Sequence, residues 1–263
     1  MGVLNVTPDS FSDGGRFAAV DAAVAHALRM IEEGATLIDI GGESTRPGAQ
    51  AVDADEEIRR VVPVIEALAA RTSVLLSIDT SKPAVMTAAV RAGATLINDV
   101  RALREPGALE AAAASGAAVC LMHMQGEPRT MQVDPRYGEV VAEVRDFLRE
   151  RAERCIAAGI ASDRLLVDPG IGFGKRLEHN LALLAALPVL VALGWPVLVG
   201  VSRKSMFSAL LGRAIDERIA GGVAMATAAV LSGASVVRTH DVAPTVDAVK
   251  VAVALKEAGK VKS

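Results

Sequence analysis

The sequence predicts an α/β fold, a TIM-type (β/α)₈ barrel forming a single domain over residues 1–263. Three observations carry this reading. Short apolar, β-branched runs recur between turn residues; Ala- and Leu-rich stretches of helical spacing separate them; and nearly every run ends in a polar or charged residue.

In chain order the runs are GVLNV, TLIDIGG, SVLLSID, TLINDV, AAVCLMH, LLVDPG, PVLVGVS and SVVRTH. Their near-continuous apolar character fits strands covered on both faces, which implies parallel pairing and crossover helices. The spacing predicts helices over Asp21 to Glu33, Asp55 to Ala70, Pro83 to Ala92 and Glu139 to Ala158. Another Ala- and Gly-rich helical stretch, RIAGGVAMATAAVLSGA, is suited to close packing on the barrel or on a second subunit. A doubly wound open sheet is the structural alternative.

Composition narrows the function. With 51% apolar residues the chain can bury a large core, yet its uncharged runs are too short and interrupted to span a bilayer. A net charge of −3 and 3% aromatics give no bulk attraction to nucleic acid or an anionic membrane, so a small-molecule ligand is expected. Cys120 and Cys155 lack metal-ligand spacing and read as buried free thiols. The first residues show no basic segment leading into an apolar run with a cleavage site, so the expected compartment is the cytoplasm.

The polar run ends are Asn5, Glu43, Asp79, Asn98, His123, Asp168, Ser202 with Lys204, and Arg238 with His240. Singly, each Asp or Asn reads as a turn former. In a barrel, however, these ends converge on the mouth where active sites lie. Lys204, Arg238 and His240 have no turn-forming reason to be there. Period-two alternation puts Arg238 and His240 on one side of their strand, with Thr239 opposite, which suggests an anionic substrate group. His26 and His179 fall in helical stretches and read as surface residues, and His123 has no assigned chemistry.

The segments NVTPDSFSDGG, IGGESTRPGA, SIDT, INDV, DPGIGFGK, VSRKS and RTHDV resemble the dihydropteroate synthase family, in family order and from end to end of the chain. The resemblance implies condensation of 6-hydroxymethyl-7,8-dihydropterin diphosphate with p-aminobenzoate, pyrophosphate departing before the amine attacks. Asp168 would accept paired N–H bonds from the pterin, with Asp79, Asn98 and Lys204 completing that pocket. Asn5, Arg238 and His240 would meet the pyrophosphate, Asn5 through Mg²⁺, the implied cofactor, and Arg46 would either meet it too or fasten loop to loop. Phe11, Thr45, Pro47, Phe173 and Ser205 would line the aminobenzoate site. Phe11 reads almost equally well as an apolar anchor for its loop. Asp13 would act at the reacting end, so the implied catalytic set is Asp13, Lys204, Arg238 and His240.

The resemblance also implies a homodimer and competitive inhibition by sulfonamides, because the first loop has no obvious insertion like that of resistance variants. Family chains usually carry residues before the first strand, whereas this one starts at it. Three rivals remain: a pterin-binding methyltransferase barrel, a Schiff-base aldolase using Lys204, and a non-enzymatic paralogue that binds pterin or only dimerises.

Overall fold

The computed structural model describes residues 1–6, 15–43, 52–127 and 130–260. Its strands are β1 (Gly2–Asn5), β2 (Leu37–Gly41), β3 (Leu75–Asp79), β4 (Leu96–Asp99), β5 (Ala118–Met122), β6 (Leu165–Asp168), β7 (Leu198–Gly200) and β8 (Val236–Arg238). All pair in parallel with their sequence neighbours, β1 through β6 in one sheet and β7 with β8 in another. Parallel bridges Val167↔Val197 and Gly2↔Thr239 join the two sheets at both seams. At the second seam Val3 N–H donates to Thr239 O at 3.0 Å, and Thr239 N–H donates to Met1 O at 2.9 Å. The ring is therefore closed, as the apolar run pattern predicts.

The helices are α1 (Gly15–Glu32), α2 (Ala54–Ala69), α3 (Pro83–Ala92), α4 (Ala108–Ser115), α5 (Val140–Ala157), α6 (Leu177–Ala185), α7 (Leu187–Val191), α8 (Met206–Leu211), α9 (Ile219–Leu231) and α10 (Val242–Lys260). Two features depart from simple alternation. Pro188 cannot donate an intrahelical bond, and α6 gives way to the short α7 just before it. The segment after β7 makes the additional short helix α8 before α9. The backbone of α1 begins at Gly15 rather than Asp21, because good helix formers continue upstream.

Local rules account for the predicted helices. Asp53 caps α2 by accepting Glu56 N–H at 2.7 Å, and Asp55, Glu56 and Glu57 place negative charge in its first turn. Pro83 opens α3 where its missing N–H costs nothing. The α2 side chains Val61, Val64, Ile65 and Leu68 pack with strand residues Leu4, Ile38, Ile40, Ile78 and Ile97 in the layer between sheet and helices. A second part of that layer gathers Val167, Val197 and Val199 with Leu183, Leu187 and Leu190. Inside the ring, Leu37, Leu96, Cys120 and Leu198 form an apolar floor. Cys120 and Cys155 are both buried free thiols. Among the described residues no helix is long and apolar enough to cross a membrane.

Candidate active site

Strand register determines which side chains share the mouth. Gly41 pairs with Asp79, Asp79 with Asn98, Met122 with Asp168, and Gly200 with Arg238. Since side chains alternate between faces, one level of the ring brings together side chains far apart in sequence. Asp79, Asn98, Asp168, Phe173, Lys204, Arg238 and His240 line one cleft that opens to solvent. Val100, Met122 and Ile171 contribute apolar walls.

Arg238 is held by two carboxylates: Nε donates to Asp39 Oδ2 at 2.6 Å and Nη2 to Asp79 Oδ2 at 2.8 Å. Asn98 Nδ2 donates to the same Asp39 oxygen at 3.0 Å. Because a carboxylate oxygen accepts only, this contact fixes the Asn98 amide with its nitrogen toward Asp39. Asp39 has no solvent exposure and sits within β2.

Burial dominates the protonation states. It raises the Asp79 carboxyl to about 7, against the pull of Arg238 and with help from Asp39 and Glu57. Burial likewise raises Asp168, although its Oδ1 accepts Gly170 N–H at 2.7 Å and Lys204 and Lys175 pull it down. Burial and then Arg238 lower Lys204 to about 8, with Asp168 and Asp79 opposing. Arg238 is also penalised by burial, but Asp39 and Asp79 more than offset this and hold it above its ordinary value. Burial, Arg238 and Arg203 lower His240 to about 4, so its imidazole is neutral at pH 7.

The loop after β7 presents Lys204 through a left-handed residue, Arg203 at φ +57°, whose guanidinium is clamped on Asp241 at 2.6 and 3.1 Å. Ser202 Oγ accepts His240 N–H at 3.1 Å, joining this loop to the end of β8. Lys204 Nζ stands 4.2 Å from the Phe173 ring centroid, a cation–π contact. The loop after β6 depends on Gly170 at φ +65°, where an added Cβ would lie 1.9 Å from His123 O.

Several predicted positions lie elsewhere. Asn5 ends β1 on the rim beside Gly41, and Ser205 is exposed just before α8; neither lines the cleft. Glu43 follows β2 and pairs with Lys82, which also contacts the buried Glu57. His26 is half-buried; His179 is half-buried too and meets Tyr137 edge to face at 4.8 Å, so the surface reading fits neither fully. His123 is buried, and its Nδ1 lies 3.0 Å from Lys175 Nζ. Phe11, Asp13, Thr45, Arg46 and Pro47 lie outside the described residues.

Sequence reasoning missed Asp39 and Lys175. Asp39 carried a signal, a lone charge inside the apolar run TLIDIG, which must be paired if buried. Lys175 was visible only as the last letter of DPGIGFGK.

Residues 1–240 match the family described as pterin binding enzyme. The dihydropteroate synthase of Escherichia coli (strain K12) is 55% identical over 251 residues, covering 95% of this chain and 89% of the relative. The chain belongs to the pterin-binding enzyme family, in its dihydropteroate synthase branch. Two solved dihydropteroate synthases agree in fold. The Yersinia pestis enzyme, in a sulfonamide drug complex, has a TM-score of 0.93 at 56% identity, covering 98% of this chain and 94% of that one. The Xanthomonas albilineans enzyme, with 4-aminobenzoic acid, has a TM-score of 0.92 at 57% identity, covering 97% and 92%. The (β/α)₈ class expected from the run pattern is thus that of solved dihydropteroate synthases.

Proposed function

We propose that this chain condenses 6-hydroxymethyl-7,8-dihydropterin diphosphate with p-aminobenzoate, giving 7,8-dihydropteroate and pyrophosphate. The observation that carries the reading is the convergence of Asp79, Asn98, Asp168, Lys204, Arg238 and His240 on one cleft in a chain of this family.

The chemistry follows from the groups present. A pterin edge with adjacent N–H donors suits the buried Asp168 carboxylate, and the fixed Asn98 amide offers its oxygen beside it. Lys204 donates to ring acceptors, and its apolar wall, Phe173, keeps water from that face. The C–O bond to the diphosphate breaks first, leaving a cationic methylene conjugated with the ring. The p-aminobenzoate nitrogen then supplies the electron pair for the new C–N bond and loses a proton. Arg238 and neutral His240 stand where an anion must be met, although Arg238 shares its fork with Asp39 and Asp79. A diphosphate therefore competes with two carboxylates for that guanidinium, and His240 gains proton affinity as the anion arrives.

The donor set fits Mg²⁺ at the rim. A Cβ on Gly41 would lie 3.8 Å from Asp79 Oδ2 and 3.9 Å from Asn5 Oδ1, so both oxygens border the space that glycine leaves open. Mg²⁺ keeps several waters and takes few protein oxygens beside substrate phosphates. Asn5 would hold it, and when bound it would offset charge on the departing pyrophosphate. Phe11, Thr45, Pro47, Phe173 and Ser205 are proposed for p-aminobenzoate, Asp13 for the reacting end and Arg46 for pyrophosphate.

The chain is read as one domain and as a cytoplasmic homodimer. Exposed Leu231 of α9 with Val251 and Leu255 of α10 supports the dimer, which light scattering of the purified protein tests. The deciding experiment follows pyrophosphate and dihydropteroate together, with and without p-aminobenzoate. Release coupled to product is the expected result; pterin binding without product moves the function to a methyltransferase or inactive paralogue. A sulfonamide should raise the apparent KM for p-aminobenzoate, and an unchanged KM would remove the inhibitor from this reading.

A further inference from the structure

Lys175 is a lysine only 3% exposed, and none of the ion pairs among the described residues includes it. Burying an ammonium is costly unless its protons find strong acceptors. Here they do. Nζ donates to Gly170 O and Phe173 O at 3.0 Å each and to His123 O at 3.3 Å, and it lies 3.0 Å from His123 Nδ1. Burial lowers Lys175 to about 7, and in its charged form, which only donates, Nδ1 is the accepting nitrogen of His123.

Gly170 O and Phe173 O lie on the inner surface of the loop between β6 and α6, and the His123 acceptors stand just after β5. Gly170 O also takes Phe173 N–H at 3.0 Å, closing a turn, while Gly170 N–H bonds Asp168. The outside of the loop is pinned separately: Tyr137 donates to Gly174 O at 2.8 Å, and Asn180 Oδ1 accepts Gly172 N–H at 2.7 Å. Lys175 is thus the centre around which the turn carrying Phe173 is wound. Asp168 belongs to β6 itself and is fixed by the sheet.

We propose that Lys175 is a positioning residue for the aromatic amine: its buried ammonium shapes the loop after β6 and so sets Phe173 against Lys204. The inference rests on the reading of Phe173 as part of the p-aminobenzoate site. It gives His123 a role as well, as the side-chain acceptor that orients the ammonium.

The test is a double-substitution cycle in the full chain, comparing Lys175→Met, Phe173→Ala and both together by steady-state kinetics with both substrates. Lys175→Met should raise the KM for p-aminobenzoate about tenfold and the KM for the dihydropterin diphosphate less than about threefold; in the Phe173→Ala background its effect should shrink to less than about threefold. Additive effects, or equal rises in both KM values, would overturn the proposal, because a general loosening of the barrel gives that pattern. Folding is checked by 6-hydroxymethylpterin binding. If Lys175→Met fails that check, Lys175→Gln, which keeps two donors without the charge, enters the same cycle under the same criteria. An unsubstituted chain that makes no dihydropteroate overturns the reading of the reaction and this inference with it. Product formation with additive substitutions overturns the inference alone.

Discussion

Arg238 Nε reaches Asp39 Oδ2 at 2.6 Å although 199 residues separate the two in the chain. Asp39 is fully buried, so deleting its carboxylate leaves a mostly buried guanidinium with Asp79 as its remaining carboxylate partner. Asp39→Ala should therefore lower unfolding free energy by about 3–5 kcal/mol, the usual cost of breaking a buried pair from one side. Asp39→Asn, which keeps an accepting oxygen, should cost less. Urea denaturation measures both, and an Asp39→Ala midpoint equal to that of the native sequence would mean that the pair adds nothing to stability.

Catalysis should have a narrow pH optimum. Asp79 loses its charge as pH falls through about 7, and Lys204 loses its charge as pH rises through about 8. If the ionised forms of both are used, kcat/KM is bell-shaped between those values, the limbs belonging to the interacting pair. Asp79→Asn should remove the acid limb and lower activity throughout. A profile flat from pH 6 to 9 would exclude both groups from the rate.

Acid should destabilise the fold partly through His123. Burial, with Lys175 and Arg104 nearby, lowers its folded-state value to about 3 from the ordinary 6.5. The unfolded chain thus binds the proton first, so stability present above about pH 6.5 is lost as pH falls toward 3. His123→Asn does not titrate there, and its stability relative to the native sequence should improve steadily over that window. Parallel stability curves for the two proteins from pH 7 to 4 would contradict this.

Gly170→Ala should fold poorly or not at all. The residue adopts φ +65°, and the new methyl would meet His123 O at 1.9 Å, so backbone must move. A loss of more than about 2 kcal/mol is expected from the strain and displacement together. Thermal melting checks it, and a melt unchanged from the native one would show the loop to be freely adjustable.

Removal of divalent cations with EDTA should abolish pyrophosphate release, and Mg²⁺ should restore it. Asn5→Ala should raise the Mg²⁺ concentration needed for half-maximal rate by about tenfold if its oxygen is one of few protein ligands. Full activity in EDTA would remove the cation from the reaction.

The barrel was legible because each strand carries its own apolar run and pairs with the next one in sequence. The mouth was legible for a related reason: Asp79, Asp168 and Arg238 each end a strand, Asn98 sits one residue before the end of its own, and the parallel ring brings such ends together. Asp39 stood out only as a lone charge between Ile38 and Ile40, and its partner lies in the last strand, too far along the chain to be matched with it by spacing. Lys175 was hidden because its acceptors are mostly backbone carbonyls, which leave no trace in residue type. The short helices α7 and α8 lie below the length at which apolar spacing has a period to show.

The seam between β8 and β1 has a consequence for the order of assembly. Every other strand joins a neighbour made shortly before it, whereas this joint waits for residues near Thr239 to meet Gly2 and Val3. During synthesis on the ribosome, the edge of β1 therefore stays without its second partner until nearly the whole barrel has emerged. The same event delivers Arg238 to Asp39 and completes the cleft. A nascent chain stalled short of β8 would thus hold most of the fold and none of the finished site, with an open edge for chaperones to cover.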